Sequence, residues 1–132
     1  MERTFSTDEA ADYLGVKASQ LYDLARARYV DPQRHGVAIH WSERDLAIAG
    51  LVVFMISAGI PAYAARMVSQ RLDPLKTSAD VEAAAAKMAL VERDGLFRLS
   101  DAALDHKALT IARNARRAGA RVLFLRTNPE EN

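Results

Sequence analysis

Phe5-Ser6-Thr7-Asp8-Glu9-Ala10-Ala11-Asp12-Tyr13-Leu14-Gly15-Val16 carries the signals of a helix start and a helix stop within twelve residues. Ser6 stands where a side-chain oxygen accepts from the free amides of a first turn. Glu9, three residues on, reaches back to Ser6, and Phe5 occupies the hydrophobic-staple position. The helix runs to about Leu14, where Gly15-Val16 forms a tight break. A second periodic segment follows, with Leu21, Leu24, Ala25 and Arg28 at i, i+3, i+4 and i+7. Its core face is Leu21, Leu24 and Ala25, and the opposite stripe is Ser19, Tyr22, Asp23 and Arg26. Two short helices joined through a glycine turn predict a helix-turn-helix, whose second helix enters the major groove of DNA. Residues 31–41 contain Pro32 and Gly36 and then a β-leaning run ending in Trp41, as a hairpin wing does.

Downstream, Ser42 caps a third helix, with Asp45 three residues on at the positive helix end. Leu46 to Ala65 is a run of twenty uncharged residues, long enough for a bilayer span. Gly59-Ile60-Pro61 divides it into segments of roughly 43–58 and 61–71, each too short to cross, so no membrane association is expected. Asp73-Pro74 closes this all-helical part. Residues Asp80 to Lys87, with four consecutive alanines, are helix-prone. Met88 to Arg93, the turn dipeptide Asp94-Gly95, and Leu96 to Leu99 predict a β-hairpin with a type I′ loop. Ser100 caps a further helix to about Ala118, and Arg121 to Arg126 reads as a last strand. The expected fold is α+β: an N-terminal winged helix-turn-helix with two further helices over 1–72, then a small ββαβ module over 78–127.

Composition narrows the function classes. The chain has 132 residues, 50% of them hydrophobic and 27% charged, which suits a folded domain and excludes a low-complexity linker. It has no cysteine, which removes disulfides, thiolate zinc sites and a Cys nucleophile and fits a reducing cytoplasm. The polar N-terminus is unlike a signal peptide. No Gly-rich phosphate loop, no Gly-x-Ser-x-Gly and no His-Glu-x-x-His is present, so a non-enzymatic role is expected. His35, His40 and His106 stand at no metal-ligand spacing, and neither metal nor cofactor is expected. The net charge is +1, with 8 basic and 9 acidic side chains over 1–75 and 10 and 8 over 76–132. His106 to Arg126 holds Lys107, Arg113, Arg116, Arg117, Arg121 and Arg126 without one acid.

Residues 4–72 resemble the DNA-binding domain of the MerR family and the related phage excisionase-like winged helices. The resemblance rests on Phe5 to Val16, on Leu21, on Trp41-Ser42-Glu43-Arg44-Asp45-Leu46, and on Ala58-Gly59-Ile60. It implies contact with DNA through the second helix and the wing. Where that family has Arg and then an aromatic after the core Leu, this chain has Tyr22 and Asp23, while Arg26 matches a frequent Arg. The family's wing ending, Gly-Tyr-Arg-x-Tyr, is represented only by the final aromatic, Trp41. The long dimer helix that follows this domain in the family finds no room here, where Pro74 and the short alanine segment follow.

The candidate contacts follow. Lys17, Ser19 and Gln20 stand at the start of the second helix, whose first residues reach base edges. Tyr22 and Arg26 lie one turn apart, suited to phosphate or guanine. Arg34, His35 and His40 are candidate wing contacts. Lys107, Arg113, Arg116 and Arg117 form an accessory basic surface for phosphate or a partner protein. Trp41 is expected as a core anchor. The expected partner is double-stranded DNA, bound by a homodimer because one winged helix covers only a short site. The second module is expected to supply dimerisation or partner choice. The alternative is a protein-protein interaction module, such as an antitoxin or adaptor, that touches no DNA.

Overall fold

A computed structural model describes residues 3–101, 117 and 119–125. Among them the fold is mixed α and β, with five helices and two small antiparallel three-stranded sheets. The chain divides between Val81 and Glu82 into two compact units.

The first unit begins with the short strand β1 (Thr4–Phe5) and helix α1 (Thr7–Leu14). Ser6 Oγ accepts from the Glu9 amide at 3.1 Å, and the Ser6 amide donates to Glu9 Oε1 at 2.9 Å. This reciprocal box satisfies two of the free amides at the helix start. Gly15 ends α1 with φ 69°, a left-handed conformation that costs glycine nothing. Helix α2 (Ala18–Arg26) follows and buries Leu21, Leu24 and Ala25. Strands β2 (Gln33–His35) and β3 (Ala38–Ser42) form a hairpin, and β3 also pairs with β1, giving the order β1-β3-β2.

Helix α3 (Glu43–Ser57) starts directly from β3. Ser42 Oγ accepts from the Asp45 amide, and the Ser42 amide donates to Asp45 Oδ2, both at 3.0 Å. After the break at Gly59, helix α4 (Ala62–Leu72) returns along α3. The two helices are in contact, and Leu46, Ala49, Val52 and Met55 of α3 and Ala64, Ala65, Val68 and Leu72 of α4 are almost fully buried. Arg44, only 14% exposed at its side chain, ties the far end of this pair together. Its Nε donates to Leu75 O at 2.8 Å, Nη1 to Asp45 Oδ1 at 3.1 Å, and Nη2 to Asp73 O. The twenty-residue apolar run is therefore an intramolecular helical hairpin. No helix among the described residues is long and apolar enough to cross a membrane.

Helix α5 (Ser78–Ala85) spans the division between the units. In the second unit, β4 (Met88–Arg93) and β5 (Leu96–Asp101) form the expected hairpin, with Asp94 at φ 54° and Gly95 at φ 80°. Positive φ at both loop residues is what a type I′ turn demands. Strand β6 (Arg121–Phe124) pairs with the other edge of β4, giving the order β5-β4-β6. One expectation is corrected. Ser100 is not a helix cap but a strand residue paired with Ala89, and β5 continues to Asp101. The ladder to β4 gives its backbone more regular partners than a cap would. The helix expected between the two outer strands lies, apart from the helical Arg117, outside the described residues.

Candidate nucleic-acid interface

The outward side of α2 follows from what its inward side buries. Leu21 is completely buried and Leu24 and Ala25 nearly so, which fixes the rotation of the helix about its axis. Lys17, Ser19, Gln20, Tyr22, Asp23 and Arg26 are consequently all exposed. Tyr22, 44% exposed, is the large apolar surface of this face.

Three of these side chains, Gln20, Asp23 and Arg26, are engaged locally. The Lys17 amide donates to Gln20 Oε1 at 2.9 Å, so the Gln20 amide oxygen serves as the helix cap and leaves its NH2 group outward. Arg26 Nη1 lies 3.0 Å from Asp23 Oδ1, with both side chains more than two-thirds exposed. Such an exposed pair is weak, and a phosphate competes readily for the guanidinium.

The end of α2 is fastened from a distance. Arg66 in α4 donates through Nη2 to Ala27 O at 2.8 Å and lies 4.5 Å over the ring of Tyr29. Arg28 between them adopts φ 62°, which turns the chain sharply out of the helix. Nothing in the sequence marks Arg66 for this role. Its partners are a backbone carbonyl and an aromatic face, neither of which leaves a pattern in the text around it.

The hairpin separates the three expected wing residues. Arg34 pairs with Ile39, which is buried, so Arg34 belongs to the side of the ribbon that carries Ile39 and Trp41. His35 and His40 share the opposite side with Gln33 and Ala38. Their rings meet edge to face at a centroid distance of 4.7 Å and an interplanar angle of 85°. The sequence spacing gave no hint of this pair, but the cross-strand register contains it, because His35 is the diagonal neighbour of His40. Among the described residues no group of three or more His, Cys, Asp or Glu gathers where a metal ion could sit.

Trp41 is fully buried, as expected of a core anchor, and its Nε1 donates to Thr7 Oγ1 at 3.0 Å. The bond joins the hairpin to the first residue of α1. Beside it, Arg3 lies 4.7 Å over the Phe5 ring, and Phe5 stacks on Tyr13 at 6.4 Å. The Ser6 hydrogen bonds, backbone first and side chain second, hold the Glu9 carboxyl below its ordinary range. The outer side of α1 is acidic, with Asp8, Glu9 and Asp12 exposed.

Of the accessory basic residues, Arg117 is exposed, while Lys107, Arg113 and Arg116 lie outside the described residues. Comparison of the sequence with protein-family models gives no match, and comparison with curated proteins gives none either.

Proposed function

We propose that the chain binds double-stranded DNA in a winged helix-turn-helix mode, as a MerR-like transcription regulator or a phage-type accessory factor. The observation that carries this reading is the division of α2: three apolar side chains are sealed inside, while Ser19, Gln20, Tyr22 and Arg26, with Lys17 at the N-cap, are exposed to solvent. In this mode the first residues of α2 approach base edges. Gln20 donates through its NH2 group, because its oxygen caps the helix. Tyr22 and Arg26 engage phosphate or guanine, with Arg26 released from Asp23. The hairpin flanks the groove with Arg34 or with His35 and His40, according to which side faces the duplex. A homodimer supplies the second half-site.

The test is retention of duplex fragments by the full chain as a function of salt. Several phosphate contacts make affinity fall about a hundredfold or more between 50 and 200 mM salt. Arg26→Ala weakens binding by about fivefold to a hundredfold. The acidic outer side of α1, unfavourable beside phosphates, favours the second reading, a protein-interaction module. Failure to retain any duplex in dilute buffer decides for that reading.

A further inference from the structure

The β4-β5 hairpin has two unlike sides. On one, Glu92 is fully used: its Oε2 accepts from the Gly95 amide at 3.2 Å and its Oε1 lies 3.5 Å from Arg121 Nε. On the other, the register places Val91 opposite Arg98 and Arg93 opposite Leu96, so the two arginines are diagonal neighbours on one surface. Both are exposed, and among the described residues neither has a carboxylate within ion-pair distance. They border an open concavity of about 490 Å3, lined by Val91, Arg93, Asp94, Leu96 and Arg98. Val122 of β6 stands beside Val91 on the same surface, and Leu96 is 53% exposed at the rim.

We propose that this concavity binds a small amphipathic anion, a carboxylate attached to an apolar chain or ring. The charge argument is one of balance. Among the described residues two guanidiniums face the depression against the single carboxylate of Asp94, and the nearby Glu92 is turned to the reverse side and already occupied. A carboxylate between Arg93 and Arg98 accepts from both, in the short charge-assisted geometry that planar guanidiniums favour. The apolar argument is one of cover. Val91 and Leu96 offer hydrocarbon beside those guanidiniums, and the volume lies within the range of small-molecule sites, about 300 to 1,000 Å3. A free anion without an apolar body leaves that surface wet. The site belongs wholly to the second unit and does not depend on the reading of α2.

The experiment is a titration of the full chain with octanoate, followed by amide chemical shifts and by calorimetry, with acetate, inorganic phosphate and octylammonium as parallel probes. The expected result is saturable binding of octanoate, with the largest shifts at residues 91–98. Acetate and phosphate bind at least tenfold more weakly, and octylammonium produces no shift there. The double variant R93Q/R98Q, whose substitutions lie on an exposed surface, keeps the wild-type melting temperature and loses at least tenfold in octanoate affinity. Asp94→Asn strengthens binding severalfold. The proposal is overturned if octanoate does not saturate, if its shifts map elsewhere, or if the double variant binds it as wild type does. Equal responses to phosphate and octanoate overturn the assigned chemical class.

Discussion

The indole Nε1 of Trp41 donates to Thr7 Oγ1 at 3.0 Å, and both side chains are shut off from solvent. The bond connects β3 to the opening turn of α1 across 34 positions of sequence. Thr7→Val keeps the shape and removes the acceptor, leaving a buried donor unpaired, which costs about 1 to 3 kcal/mol. Urea denaturation measures it. The pair with Trp41→Phe should be less destabilising than the sum of the two single changes. Simple additivity would show that the bond contributes nothing.

Glu9 links the first helix to pH. Its carboxyl is held below the ordinary range in the folded chain, so the folded state favours the ionised form. The stabilisation is therefore complete above the unfolded carboxylate range and is lost as pH falls through the lower folded value. Glu9→Gln retains an acceptor for the Ser6 amide but cannot titrate. A melting-temperature profile from pH 7 to pH 2 should be flatter for the variant, and parallel profiles would remove Glu9 from the acid transition.

Arg66 holds the exit of α2 through the Ala27 carbonyl and the Tyr29 ring. Arg66→Ala should destabilise by about 1 to 2 kcal/mol. Hydrogen exchange should also rise at the last turn of α2 more than in α3. Uniform exchange changes across the first unit would refute a local role.

Asp23 screens Arg26 in the free protein. If α2 lies against phosphates, Asp23→Asn removes both the competing partner and a repelling charge, and duplex affinity should rise by about two- to fivefold at low salt. Weaker binding by the variant would mean that the carboxylate itself makes a contact.

Gly50 lies in the middle of α3, where an added Cβ would come 3.3 Å from Leu14 Cδ2. That methyl is the free end of a half-buried side chain and can turn aside. Replacing a mid-helix glycine gains about 1 kcal/mol of helix propensity. Gly50→Ala should therefore stabilise by about 0.5 kcal/mol in thermal denaturation, after the cost of moving Leu14. A lower melting temperature would mean that Leu14 is pinned between α1 and α3.

The local grammar of the chain was legible because its partners lie within four residues. The Ser6-Glu9 and Ser42-Asp45 boxes and the Asp94-Gly95 turn each satisfy their own backbone, so the text alone carries them. The rotation of α2 was legible for a related reason, since Leu21, Leu24 and Ala25 mark the inner side by period. What escaped was long-range. Arg44 and Arg66 end on carbonyls 29 to 39 positions away, and every residue possesses a carbonyl, so no residue type advertises the acceptor. Ser100 shows the converse error, a sound cap signal overridden by strand pairing with Ala89. The His35-His40 pair and the isolation of Arg34 depend on register, which spacing along one strand does not reveal.

The β2-β3 ribbon is anchored on one side only. Ile39 and Trp41 hold it to the body of the unit, whereas Gln33, His35, Ala38 and His40 occupy the other side, away from that anchorage. Burial and exposure thereby fall on alternate letters of the same short strand. Substitution at Ala38 or His40 therefore changes the outer surface of the ribbon while Ile39 and Trp41 keep it seated, so under the proposed mode of binding its contacts can be altered at little cost in stability.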